Sequence, residues 1–154
     1  MDSTPVTRAL EVLGIPYALH QHPQPVRSLE QAARERGLAP AQILRSLVFR
    51  LEGGAFVMVL MPGPGQVSWP KLRRHLGVTR ITTATVPEVR QVTGYEPGAV
   101  SPLGLPGALR TLVDRGVLAA DVISIGAGIR DAGVILKTAD LQRALRLEFG
   151  DFAA

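Results

Sequence analysis

The sequence predicts a single α+β domain over residues 1–154, built on a mixed or antiparallel sheet. Three observations lead there. A chain of 154 residues that is 46% hydrophobic can bury one sizeable core and is short for two ordinary domains. Helix-capping signals and β-rich runs alternate along it. Hairpin signals outnumber clean β-helix-β units, which disfavours a doubly wound parallel sheet.

Thr4-Pro5 reads as a helix start, and Val6, Leu10 and Leu13 form an apolar stripe up to Gly14, so a first helix is expected over about residues 4–14. Ile15 to His20 reads as extended. Ser28 and Gln31 form a capping box opening a second helix that Gly37 closes, and a short helical turn is expected at Pro40. Leu47–Leu51 and Ala55–Met61 are β-rich runs joined through Gly53-Gly54, the clearest hairpin signal in the chain. Ser68 caps a helix over Trp69–Leu76. Thr85 and Glu88 form another capping box, with Pro87 in the first turn, leading to Thr93. Leu109–Asp114, Asp121–Ile125 and Gly133–Lys137 are strand candidates, and Thr138 is expected to cap a last helix carrying Leu141, Leu145 and Phe149.

Composition narrows the chemistry. Cysteine is absent, which excludes a disulfide framework, a thiolate zinc site and a cysteine nucleophile, and fits a reducing compartment. The longest apolar run, Ala55 to Pro62, is far below the roughly 20 residues needed to span a bilayer. With no leader-like opening segment, a soluble cytoplasmic protein is expected. Lysine plus arginine total 17 against 13 aspartate plus glutamate, and only Lys71 and Lys137 are lysines. Guanidinium groups suit phosphate, because the planar fork bonds two oxygens at once; an arginine-rich proteome explains the excess equally well.

The most informative segment runs from Thr93 to Gly107. Its four glycines and three prolines exclude a helix or a central strand and require an ordered loop. Unpaired backbone amides there form a concavity suited to a carbonyl oxygen, an oxyanion or a phosphate. A long structural connection is the plainer reading.

Within it, Thr93, Gly94, Tyr95, Gly98, Ser101, Pro102, Leu103 and Gly104 spell T-G-Y-x-x-G-x-x-S-P-L-G. This pattern resembles the central motif of the YbaK-type aminoacyl-tRNA deacylases, a family that includes the editing domain of bacterial prolyl-tRNA synthetases. The resemblance extends to I-P-Y-x-x-H at Ile15–His20, RSLVFR at Arg45–Arg50, IGAG at Ile125–Gly128 and ADL at Ala139–Leu141. It implies a single α+β domain on a twisted, barrel-like mixed sheet with surrounding helices. It also implies hydrolysis of the ester between an amino acid and the terminal adenosine of tRNA, without metal or organic cofactor. The implied partners are the acceptor end of tRNA, proline tRNA carrying Cys or Ala in particular, and prolyl-tRNA synthetase.

The resemblance assigns Arg45 to the position where the family usually has lysine. Arginine keeps the charge and the donors but cannot move a proton near neutral pH. Gly98, flanked by Gly94 and Ala99, is the expected oxyanion-type backbone donor. Ser46, Tyr95, Ser101, Gly126, Gly128 and Tyr17 are further substrate-contact candidates. Ser101 reads as a contact or turn-former more readily than a nucleophile, because no histidine is near and Gly-x-Ser-x-Gly is absent. Ser124 and Asp131 lie near the place where the family carries a functional acidic or serine side chain. Lys71, Arg73, Arg74 and Arg80 form the densest basic cluster, a sensible set of tRNA phosphate contacts or an ordinary solvated face. His20 and His22 share a face but have no evident third ligand, so no metal site is expected. A module that binds tRNA without hydrolysing it, and a small-molecule ester hydrolase, are the rival readings.

Overall fold

Local capping chemistry sets the helix starts. The computed structural model describes residues 3–154 and shows α1 at Pro5–Leu13, α2 at Leu29–Arg36, α3 at Trp69–Leu76, α4 at Val86–Thr93 and α5 at Thr138–Ala144. Thr4 caps α1 in a reciprocal box with Thr7, Ser68 caps α3 by accepting from the Lys71 N–H, and Thr85 caps α4 in a box with Glu88. Each hydroxyl satisfies an amide that the first turn leaves bare, a contribution of about 1 kcal/mol. Ser28 accepts from the Gln31 N–H, but the Gln31 side chain accepts from Arg27, so that box is only half formed.

The strands are β1 (Ala18–Gln21), β2 (Leu44–Leu51), β3 (Phe56–Pro62), β4 (Ile81–Thr83), β5 (Thr111–Asp114), β6 (Val122–Gly126), β7 (Ala132–Lys137) and β8 (Leu147–Gly150). They form one sheet of order β4-β2-β3-β5-β8 and a second of order β1-β7-β6. The β2–β3 hairpin turns through Gly53 and Gly54, both at positive φ, 90° and 95°. The β3–β5 and β5–β8 pairs are parallel, so the larger sheet is mixed and the class is α+β. A parallel bridge between Ile43 and Ser124 joins the sheets. Beyond it β2 stays with β3 and β6 with β7, so the barrel-like sheet takes the form of two joined sheets that do not close.

The C-terminal helix departs from expectation. It ends at Ala144, and Leu147–Gly150 pairs with Thr111–Asp114 as β8. Leu145, Leu147 and Phe149 also alternate with Arg146 and Glu148, a period of two hidden under the four-residue spacing, and pairing with β5 selects it. Thr138 is the first helical residue instead of the cap; its hydroxyl donates to the Ala120 carbonyl at 2.6 Å.

β3 supplies both cores. Met58 and Leu60 pack into the larger cluster with Val6, Leu10, Ile125 and Val134, while Val57, Val59 and Met61 face Phe49, Leu72 and Phe152 on the other side. One gap positions the site. β4 pairs only with Phe49–Leu51, and the Ala84 N–H reaches the Val48 carbonyl at 3.0 Å. Leu44–Leu47 have no strand partner on that side among the described residues. By the alternation of an antiparallel ladder, the Ser46 backbone N–H and C=O point into this gap, as those of Val48 and Arg50 point to β4.

Candidate active site

The Thr93–Gly104 loop is ordered by its own polar groups. Thr93 Oγ1 donates to the Val89 carbonyl at 2.6 Å and accepts from the Tyr95 N–H at 3.0 Å. The Tyr95 hydroxyl donates to the Leu103 carbonyl at 2.5 Å, and Ser101 Oγ accepts from the Leu103 N–H at 3.3 Å. Burial pushes the Tyr95 phenol up to about 12, which keeps it a donor.

The IGAG segment locks onto this loop. A Cβ at Gly126 would sit 2.0 Å from the Val100 carbonyl oxygen, and one at Gly128 would sit 3.0 Å from the Tyr95 ring. The Gly128 N–H donates to the Ala99 carbonyl at 3.1 Å. The glycines permit close approach of one backbone to another.

This interlock changes the predicted contacts. Tyr95, Ala99 and Ser101 are buried at 4%, 2% and 0% exposure, and their polar groups serve the loop itself. Gly128 lies behind the Tyr95 ring, and the Gly94 N–H is spent on the Arg90 carbonyl as the end of α4. Tyr17 is also elsewhere: its hydroxyl donates to Glu11 at 2.9 Å, a bond that raises its pKa. These six residues, expected as substrate contacts, support the site's walls or lie outside it; none of them lines the cleft described next.

Four of the predicted residues do meet. A cleft of about 660 Å³ runs along the open edge of β2, lined by Arg45, Ser46, Gly98, Gly126, Trp69 and Arg36 among others. A second cavity of about 490 Å³ adjoins it and carries Arg27, Arg130 and Asp131. Arg36, Arg45, Pro97 and Gly98 belong to both. Both spaces have mainly apolar walls, through Ile43, Leu44, Val48, Val89 and Val100 in the first, and the second adds Arg27 and Arg130 to the shared Arg36 and Arg45, so it carries the greater positive charge.

Each of the four contributes differently. Gly98, at φ 90°, is exposed, has open space where a Cβ would stand, and its N–H makes no backbone hydrogen bond among the described residues. Ser46 Oγ is buried with no hydrogen-bond partner among the described residues. Gly126 forms the wall under Val100. Arg45 donates from Nε to the Gly63 carbonyl at 2.7 Å and from Nη2 to the Gly65 carbonyl, and burial lowers its pKa. It pins the β3–α3 connection while remaining in the wall of both cavities.

The basic cluster lies apart. Lys71 pairs with Asp151 at 3.0 Å and donates to the Ala153 carbonyl, and neither it nor Arg73, Arg74 or Arg80 lines the cleft. The cleft's own cations are Arg27, Arg36, Arg45 and Arg130, of which sequence reasoning singled out only Arg45. Arg36 reads in sequence as an ordinary last-turn helix residue. Trp69 likewise carries only a helical signal in sequence; its ring meets Phe49 edge-on at 5.3 Å and lines the cleft.

His20 and His22 do acquire a third neighbour, Glu35, with ligand atoms within 4.8 Å of one another. Both His22 ring nitrogens are already engaged, Nδ1 with Glu35 at 2.8 Å and Nε2 with Arg36 Nε at 3.1 Å. A guanidinium beside the cluster opposes a cation there.

The family model for the aminoacyl-tRNA editing domain matches residues 23–144, a span that contains the whole cleft. This chain belongs to that family. Among curated editing-domain relatives, a Proline--tRNA ligase of Limosilactobacillus fermentum is 31% identical over 130 residues, 81% of this chain and 22% of the ligase. The Multifunctional Ser/Thr-tRNA deacylase ProXp-y of Escherichia coli K12 is 30% identical over 131 residues, covering 82% of this chain and 78% of that protein. The chain spans about a fifth of the length of the ligases it matches. A crystal structure described as a candidate trans-editing enzyme for prolyl tRNA synthetase superposes with TM-score 0.89 at 27% identity, covering 97% of this chain and 95% of that one. Among the described residues, no helix is long and apolar enough to cross a membrane.

Proposed function

We propose that this protein is an aminoacyl-tRNA deacylase acting in trans on mischarged tRNA, with proline tRNA carrying Cys or Ala as its first substrate. The observation that supports this most is the meeting of a free Gly98 amide, an unpartnered Ser46 hydroxyl and two guanidinium groups where an apolar cleft joins a more basic cavity. An ester of an amino acid with a nucleotide has that polarity. The apolar space takes the amino-acid side chain and a face of the terminal base against Trp69, and the basic space takes the acceptor-end phosphates.

The chemistry follows from the donors. The Gly98 N–H points at the ester carbonyl and stabilises the oxyanion formed when water attacks, an effect of on the order of a hundredfold in rate for one such donor. Arg45 holds the β3–α3 connection against the cleft and contributes positive charge, with no role in proton transfer. Asp131 accepts from the Val26 N–H through Oδ1 alone and lines the second cavity, while Ser124 Oγ accepts from Arg36. A hydroxyl or thiol of the substrate assists the water.

Proline tRNA charged with cysteine, alanine, serine, threonine or proline, incubated with the protein while ester loss is followed, tests the proposal. Release of one or more of the wrong amino acids with proline left in place is the expected result. No turnover on any of them, with salt-sensitive tRNA binding retained, would transfer the protein to the class of tRNA-binding modules. The supply of substrate falls to prolyl-tRNA synthetase, whose misacylation products this activity removes.

A further inference from the structure

Arg36 is a guanidinium held at three points inside the cleft wall with no carboxylate on it. Its Nε donates to His22 Nε2 at 3.1 Å and its Nη1 to Ser124 Oγ at 2.9 Å. Its plane rests on Gly133, where a Cβ would stand 2.2 Å from Cζ. Both acceptors are neutral when His22 is the Nδ1–H tautomer, which its bond from Nδ1 to Glu35 at 2.8 Å favours. No ion pair forms on Arg36 among the described residues; the neighbouring Glu35 is turned to His22 and Gln31. Burial lowers the Arg36 pKa, the mark of a charge that has left water without full compensation.

A half-buried cation whose nearest carboxylate, Glu35, reaches it only through the His22 ring is under-compensated, and an anionic ligand would supply the missing charge. A guanidinium has five N–H groups, and the two bonds described leave the others available. Arg36 lines both cavities at their junction. We propose that Arg36 is an anion-binding residue of this site, receiving a negatively charged oxygen of the substrate, and that His22, Ser124 and Gly133 are its positioning residues. The oxygen has two sources in an aminoacyl-tRNA: a phosphate of the acceptor end, or the oxyanion that forms at the ester carbonyl. The inference rests on the deacylase reading for its substrate, but the anion site itself does not.

Three variants test it: Arg36→Gln, Arg36→Lys and Gly133→Ala. The last retains the arginine and displaces only its plane, because the flexible end of that side chain is what the new methyl meets. Thermal melting first establishes that each variant folds. Hydrolysis of the mischarged tRNA is then followed for kcat and KM separately, and adenosine 5′-monophosphate binding is measured by calorimetry as a probe for phosphate. If a phosphate is the ligand, Arg36→Gln raises KM about tenfold or more, weakens the nucleotide to a similar degree and lowers the salt slope by about one. If the oxyanion is the ligand, kcat falls about a hundredfold while KM and nucleotide affinity hold. Gly133→Ala follows the same pattern at smaller amplitude, and Arg36→Lys recovers part of the loss. Parent-like kcat, KM and nucleotide affinity in a folded Arg36→Gln protein would overturn the proposal. Should the parent hydrolyse no charged tRNA, the deacylase reading falls alone. Nucleotide binding by parent against Arg36→Gln then decides whether Arg36 takes an anion, with equal affinity counting against it.

Discussion

Replacing Gly126 with alanine tests the interlock between the two glycine-containing segments. The added methyl would lie 2.0 Å from the Val100 carbonyl oxygen, 2.9 Å from the Val100 carbonyl carbon and 3.2 Å from the Ala99 carbonyl oxygen. All three are backbone atoms, so no side chain can swing aside; the loop or the end of β6 must move by more than an ångström. Overpacking of this kind costs about 2–3 kcal/mol, the upper part of its usual range. For a chain of this size that lowers Tm by roughly 4–12 °C. The displaced backbone leads directly to Gly98, and a misplacement of an ångström at a reacting centre costs on the order of a hundredfold in rate. Differential scanning calorimetry and tRNA deacylation on the same preparation read both effects. Gly98→Ala is the control: it meets no atom within 4 Å but carries φ 90°, so it costs only about 1–2 kcal/mol while placing a methyl in the cleft. A Gly126→Ala protein with parent-like Tm and turnover would show that the loop does not rest on β6 as described.

Tyr95→Phe removes the donor from the buried Leu103 carbonyl and should cost about 1–3 kcal/mol in urea unfolding, with an unchanged m-value. Arg45→Ala should release the β3–α3 connection at Gly63 and Gly65 and slow deacylation about tenfold or more; hydrolysis as fast as the parent's would remove Arg45 from the site. Stability at low pH should depend on Glu148, whose carboxyl is held at about 2, below its usual 4.5, first by the Arg110 fork at 2.8 and 3.0 Å and then by His75. Because the folded state depresses this pKa, the contribution is complete above about pH 4.5 and is lost as pH falls toward about 2. The pair is over a third exposed and screened, so Arg110→Ala should reduce the loss between these pH values by no more than about 1 kcal/mol in thermal melts.

Capping made the helices legible, because Thr4, Ser28, Ser68 and Thr85 act within four residues of themselves. The Gly53-Gly54 hairpin was legible for the same reason. β8 was not: its signal overlaps a helical spacing, and only β5, far back in the chain, decides between them. The site divided along the same line. The Thr93–Gly104 loop was visible as a motif, but a pattern of residue types does not say which members face inward. Tyr95 and Ser101 proved to be the loop's own fastenings, while Gly98 alone of its three adjacent candidate amides stayed free. Arg36 carried no signal, since its role depends on His22, Ser124 and Gly133 from three other places in the chain.

The short reach of β4 has a consequence for solubility. A strand edge with unpaired amides and carbonyls is a template for pairing with another chain, and Leu44–Leu47 is such an edge set among apolar neighbours. Its protection is first a matter of length: by the alternation of the ladder only Leu44 and Ser46 turn backbone groups to this side, too few hydrogen bonds to hold a foreign strand, and a charged side chain stands between them. An aliphatic residue at position 45 would then do two kinds of harm, loosening the cleft wall by losing the bonds to Gly63 and Gly65 and leaving Ser46 as the one polar side chain of this edge. Arginine at that position thus keeps a charge beside an open strand edge as well as shaping the cleft.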